Sequence, residues 1–407
     1  MKLLQVNCVY GDGSTGKITE DIHRMLLDRG DESLVCYGRG QKSQELGVTK
    51  ICPEWYAKGN HFLSMIRGVL YGGCLLSTLR LCRIMEKEKP DVVQLHCLNG
   101  YFVNNYRLIS WLKKKKIKTV LTLHAEFPYT ANCAHAMDCE KWKTGCGKCP
   151  RLRQETGSMF FDGTARSFRK MKTAVSGFEQ DLTVVSVSPW LYSRAVTAPV
   201  LDGIPQRVIQ NGIDTAVFRN FLKRNQTKEK VVLHVTAMFS EEVNHPKGGW
   251  CLMELAKRMA QEPVRFLVAG KYQIHGSLPP NVILLGEIRD RDALAQLYVN
   301  ADLTVLTSKR ETFSMVLGES LCCGTPVVGF QAGGPESLGL TGVCEFVPFG
   351  DLDALESVMK EWLEKPVDRE MVAEKAAARL SSEKMLKEYL ELYGELIDEA
   401  AHEPDAV

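Results

Sequence analysis

The chain has 407 residues, 45% hydrophobic and 25% charged, with a net charge of +2. That length exceeds one ordinary core and implies two domains, and the near-neutral balance supplies no global attraction for nucleic acid. No apolar run reaches the roughly 18–20 residues needed to span a bilayer. The N-terminal segment turns polar and Gly-rich too early for a signal peptide, and fourteen scattered cysteines fit a reducing compartment, so a cytoplasmic protein is expected.

Apolar runs alternate with helical periodicity in two series. Residues 3–10, 33–37, 91–97, 119–124 and 182–188 read as one set of strands, and 231–237, 264–270, 281–286, 303–308 and 326–330 as a second. Strands alternating with helices imply an α/β fold with parallel sheets covered on both faces. The polar stretch 219–230 is the linker candidate, dividing the chain into domains at 1–220 and 221–381. A terminal helix follows within 382–407, with Leu386, Tyr389, Leu390, Leu392, Tyr393 and Leu396 at helical spacing.

The first loop, Gly11-Asp12-Gly13-Ser14-Thr15-Gly16-Lys17, begins like a phosphate-binding P-loop. Ile18 stands where a magnesium-holding Ser or Thr is needed, so a true P-loop is not expected. His96 and His124 each close an apolar strand, at the sheet edge where ligands of open α/β folds gather. The run Trp111-Leu112 followed by Lys113 to Lys116 has the composition of a surface that meets anionic lipid, or simply of a solvated face. After His124, an insertion near 126–155 carries Cys133, His135, Cys139, Cys146 and Cys149. Cys133, Cys139, Cys146 and Cys149 would satisfy a tetrahedral structural zinc, with an iron–sulfur cluster, unmetallated thiols and disulfides as the alternatives.

The second half carries the densest signal. Glu311 and Glu319 bracket seven residues, with an apolar strand before and a small-residue helix from about Ser314 to Gly324 after. Upstream are Asn211-Gly212-Ile213-Asp214 with Phe218, and His245-Pro246-Lys247-Gly248-Gly249. Downstream is Gly333-Gly334-Pro335-Glu336. In this order the motifs resemble the retaining glycosyltransferases of the GT-B fold, family 4, bacterial polysaccharide-biosynthesis type.

That resemblance implies two Rossmann-like domains facing a central cleft, with the terminal helix crossing back to the first. It implies a hexosyltransferase-type enzyme moving sugar from a UDP- or GDP-sugar to a glycan or lipid-linked acceptor, in exopolysaccharide, capsule or lipopolysaccharide synthesis. No cofactor beyond the nucleotide-sugar co-substrate is expected, and peripheral attachment at the inner face of the membrane would suit a lipid-linked acceptor. By the same resemblance Glu311 binds donor-sugar hydroxyls, His124 lies near the reacting carbon, Glu319 takes the ribose and Lys247 the diphosphate. Phe313, Ser314 and Met315 at the helix start, and Gly13, Ser14 and Gly16 of the first loop, complete the donor contacts. Two departures stand out: Ala125 and Glu126 replace the aspartate that usually follows the histidine, and Ala237 to Ser240 lack the arginine usually paired with the lysine. A nucleotide-sugar epimerase and a non-catalytic scaffold organised by the cysteines are the alternative readings.

Overall fold

The computed structural model describes residues 1–158, 160–219, 224 and 228–402. Its contacts divide the chain into two units, Met1–Gln210 with Leu386–Val407, and Asn211–Met385. The division falls at Gln210, earlier than the expected 220, because the Asn211 motif packs within the second unit. There Ile213 N donates to Leu380 O at 2.6 Å. Part of the expected linker, residues 220–223 and 225–227, lies outside the described residues.

The first unit is built on seven strands: β1 (Lys2–Asn7), β2 (Glu32–Tyr37), β3 (Val48–Lys50), β4 (Val92–Leu95), β5 (Thr119–Leu123), β6 (Leu182–Ser186) and β7 (Gln206–Val208). Their order is β3-β2-β1-β4-β5-β6-β7, and every pairing is parallel. Residues of β4, β5 and β6 are buried throughout, which is why these strands read as continuous apolar runs rather than alternating ones. The second unit holds β8 (Lys230–Ser240), β9 (Val264–Gln273), β10 (Val282–Gly286), β11 (Leu303–Leu306), β12 (Val327–Phe330) and β13 (Cys344–Val347). These six are also all parallel, ordered β10-β9-β8-β11-β12-β13.

β8 runs three residues past its expected end. After an irregularity between Val235 and Met238, Phe239 pairs with Tyr272 and Ser240 with Gln273. Phe239 is wholly buried, so the segment that lacks the family's arginine is strand and core rather than an open loop.

The terminal helix, Ser382–His402, belongs to the first unit from Leu386 onward. It is fixed there by polar bonds inside the core. Tyr393 Oη donates to Gln94 Oε1 at 2.7 Å, Gln94 Nε2 donates to Thr122 Oγ1 at 3.0 Å, and Tyr389 Oη lies 3.2 Å from that same Oγ1. All four residues are buried, so removing one hydroxyl strands a polar partner away from water. Tyr393→Phe is therefore expected to lower unfolding free energy by about 1–3 kcal/mol. Urea unfolding followed by tyrosine fluorescence checks this, and an unchanged midpoint would show the bond to be energetically silent.

Candidate functional site

In the second unit the loop ahead of the helix Gly249–Arg258 is pressed against the end of β11. Gly248 has φ +65°, and a Cβ there would lie 2.0 Å from the Thr307 carbonyl oxygen, so only glycine fits. Thr307 Oγ1 donates to the Lys247 carbonyl at 3.0 Å, fixing the backbone from the other side. Lys247 Nζ then reaches Glu311 Oε1 at 2.6 Å.

Glu311 is held with equal economy of space. Its N–H donates to Ala332 O at 3.0 Å and its carbonyl accepts from Gly334 N at 2.9 Å. A Cβ on Gly334 would sit 2.3 Å from the Thr312 carbonyl carbon. Glu336 folds back to accept from Ala332 N at 3.1 Å and Gly333 N at 2.7 Å, so this glutamate shapes the turn itself. The Gly333 motif thus forms the wall against which the Glu311 loop is placed.

The helix after that loop spans Met315–Cys322. Ser314, at φ +83°, caps it by accepting from Leu317 N at 3.3 Å. The Phe313 and Ser314 side chains are buried, whereas Met315 is half-buried. Glu319 accepts from Tyr298 Oη at 2.9 Å. Tyr298 is fully buried, and burial together with the Glu319 carboxylate pushes its phenol well above the ordinary range, so it stays a donor. The Phe218 ring meets Tyr298 edge-on at 6.2 Å, and Arg291 stacks on Phe218 while pairing with Asp214 at 3.2 Å. Tyr298 and Arg291 escaped sequence reading because both sit in an ordinary-looking helix, Arg291–Asn300.

In the first unit His96 and His124 follow adjacent strands. His96 Nδ1 lies 3.0 Å from His124 Nε2, and His96 Nε2 lies 3.1 Å from Gln5 Oε1. Gln5 Nε2 donates to Thr19 O at 3.2 Å, which orients the amide so that its oxygen faces His96. The network then assigns the protons: His96 carries its proton on Nε2, His124 donates from Nε2, and His124 Nδ1 is left as an acceptor. Burial holds His96 well below its ordinary pKa and lowers His124 to about 4, so both rings are neutral near pH 7. Gln5 was absent from the sequence reading, although a polar residue inside an otherwise apolar strand is a legible signal of such a network.

Glu126, the unusual residue after His124, does not bond to it. Its buried carboxylate accepts from Arg194 Nε at 2.8 Å, Tyr129 Oη at 2.5 Å and Ala136 N at 2.8 Å. It anchors the insertion instead. Within that insertion Cys133, Cys139, Cys146 and Cys149 line one small cavity with Trp142. Burial pushes the Cys133 thiol up to about 12 and Cys146 to about 11. Among the described residues no group of three or more His, Cys, Asp or Glu is arranged to hold a metal ion.

Of the first-loop residues, Gly13 and Ser14 are exposed at the start of the helix Gly13–Asp28. Gly16 is buried, and a Cβ there would lie 3.2 Å from Gly11 N, so the helix packs closely on the loop at this point. No helix among the described residues is long and apolar enough to cross a membrane.

Two parallel sheets and a lysine–glutamate pair framed by glycine loops define a glycosyltransferase of the GT-B type. Residues 229–365 match the family of glycosyl transferases group 1. Over 98% of this chain and 98% of the relative, the sequence is 32% identical to N-acetyl-alpha-D-glucosaminyl L-malate synthase of Bacillus anthracis. It is 23% identical, over 97% of this chain and all of the relative, to the putative colanic acid biosynthesis glycosyl transferase WcaC of Escherichia coli K12. Sucrose-phosphate synthase from Thermosynechococcus elongatus superposes with a TM-score of 0.66 at 16% identity, over 98% of this chain and all of that one. The Anabaena protein HepE, solved with UDP-glucose, gives 0.61 at 16% identity, over 97% of this chain and all of that one. The chain belongs to the group 1 glycosyltransferases.

Two consequences are measurable. Arg194→Met leaves the Glu126 charge buried without its cation, and a loss of about 3–5 kcal/mol is expected. Thermal unfolding and faster proteolysis within residues 131–158 would register it, and wild-type behaviour would show that the pair does not anchor the insertion. Acid is the second lever. His234 is buried, places Nδ1 3.1 Å from Val305 O, and has its pKa lowered to about 4 by burial. For His96, His124 and His234 the folded value lies below the unfolded 6.5, so the unfolded chain binds protons first and stability falls as pH drops from 6.5 toward 4. His234 alone accounts for about 2 kcal/mol at pH 5. Calorimetric midpoints between pH 7 and 5 should decline, and the decline should shrink in His234→Gln.

Proposed function

We propose that this enzyme transfers a sugar, with retention of anomeric configuration, from a uridine-diphosphate donor to a hydroxyl of a growing bacterial glycan. The observation that carries the reading is the Lys247–Glu311 contact at 2.6 Å, with Glu319 on the helix that follows. Breaking the bond between anomeric carbon and diphosphate builds negative charge on the leaving oxygens and positive charge on the sugar. Lys247 meets the first need by exchanging Glu311 for the diphosphate. Glu311, released from the ammonium, accepts from sugar hydroxyls, and Glu319, oriented by Tyr298, accepts from the ribose. The acceptor oxygen bonds to the anomeric carbon on the face the diphosphate leaves, and its proton passes to the leaving group.

On the first unit, we assign His124 to the donor sugar as an uncharged imidazole. Burial keeps the ring neutral. The choice of uridine diphosphate is supported by the HepE complex of the same fold, and the glycan acceptor by the name of the colanic acid relative. The N-acetyl-alpha-D-glucosaminyl L-malate synthase relative favours a second reading, in which the acceptor is a small hydroxy acid.

A donor-by-acceptor screen read by mass spectrometry, including L-malate among the acceptors, separates these. Glu319→Gln is expected to weaken UDP binding roughly tenfold, in line with loss of a charge-assisted hydrogen bond, and Lys247→Met to lower turnover roughly a hundredfold or more. Calorimetric UDP affinity unchanged by Glu319→Gln would reject the ribose assignment, and undiminished turnover in Lys247→Met would reject the diphosphate one.

A further inference from the structure

The helix Glu54–Arg67 inverts the usual logic of an amphipathic element. Only Ala57 and Ser64 of its fourteen residues are buried, whereas Trp55, Phe62, Leu63 and Ile66 are exposed, Trp55 by 74% and Phe62 by 61%. Positions 55, 62 and 66 share one helical face, so the exposed apolar side chains form a stripe. Beside it, Leu76 is 69% exposed and Phe161 62%. Scattered exposed apolar residues need no explanation, but a contiguous patch does.

The patch borders a groove with the opposite character. A cavity of about 780 Å³ lies between the helices Leu75–Glu88, Asn105–Lys114 and Thr164–Val175. A second of about 450 Å³ shares Gly72, Arg166 and Lys170 with it, so the two are continuous. Arg67, Arg107, Lys114, Arg166, Arg169 and Lys170 line this groove, and no Asp or Glu does. All six cations are exposed, and none forms an ion pair among the described residues. Partial desolvation, and after it the nearby Arg166, lower the Lys170 pKa. Asp162 accepts from Cys149 N and Thr164 N, and Glu86 pairs with Lys115. Within the Lys113 to Lys116 run, Lys113 donates to Ser176 O and Lys115 is bound to Glu86, whereas Lys114 lines the groove.

We infer that this face of the first unit docks on an anionic phospholipid bilayer, the aromatic and aliphatic stripe entering the interface while the groove cations meet headgroup phosphates. The pairing of exposed rings with adjacent uncompensated cations is what such a surface selects. The inference is independent of the transfer reading, because binding is measured without donor or acceptor.

Flotation of the full chain with phosphatidylglycerol–phosphatidylcholine vesicles at low salt tests it. Co-flotation that declines with added salt and is absent with pure phosphatidylcholine is expected. The Arg166→Glu/Arg169→Glu variant and, separately, Phe62→Ser/Phe161→Ser should each reduce bound protein roughly tenfold or more. These positions are exposed, so unfolding midpoints should stay at the wild-type value. Failure to float at low salt, equal binding to pure phosphatidylcholine, or wild-type binding by both variants would overturn the inference. So would self-association in solution abolished by Phe62→Ser/Phe161→Ser, which would identify a second copy of the chain as the occupant.

Discussion

The second unit is organised around the placement of one ammonium against one carboxylate. Lys247 and Glu311 come from loops far apart in sequence, and each loop is positioned by backbone meeting backbone where a methyl group would not fit, at Gly248 against Thr307 and at Gly334 against Thr312. The pair is partly exposed, at 35% and 22% for the two side chains, and an ion pair in that setting contributes only about 0–1 kcal/mol. Stability is too small a return to explain two glycine-dependent approaches. Under the proposed function the pair is a pre-positioned set of opposite charges, each exchanging its partner for one end of a polar ligand, and oriented groups lower a barrier without reorganising during reaction.

The first unit follows a different rule, in which polar groups are sunk into the sheet and satisfied there. Gln5, Gln94, His96 and Thr122 occupy β1, β4 and β5 or the residue just beyond, and each has a partner within hydrogen-bonding range. In a low-dielectric interior such a chain fixes tautomers that solvent would leave mobile. Two consequences follow from one arrangement: His124 is held neutral in a single proton configuration, and the terminal helix is tied to the strands by Tyr389 and Tyr393. Glu126 extends the same economy to the insertion, where one buried carboxylate collects an arginine, a phenol and a backbone amide.

Much of this was readable from residues alone. Ten of the strands are apolar because both faces of a parallel sheet are covered, and they appear where the runs occur. β3, β7 and β13 were missed because each is a sheet edge, only partly buried and with no continuous apolar run to mark it. β8 was cut short because Met238-Phe239-Ser240 looks like the start of a loop until its pairing with Lys271–Gln273 is seen. The Glu311, Lys247 and Gly333 motifs led to the expectation of a donor site, but not to the pairing of Lys247 with Glu311, a relation set by tertiary approach. Gly16, expected in a ligand loop, lies where the helix packs closely on that loop, a contact set by tertiary approach. Tyr298 and Arg194 were invisible because their partners, Glu319 and Glu126, lie 21 and 68 residues away.

The central claim is that the second unit's ammonium and carboxylates grip opposite ends of one activated sugar. A crystal structure of the enzyme with a non-hydrolysable uridine-diphosphate sugar tests this most directly. The account requires a diphosphate oxygen within about 3 Å of Lys247 Nζ, the sugar hydroxyls on Glu311 and the ribose on Glu319. An intact Lys247–Glu311 pair with the nucleotide bound elsewhere would contradict it.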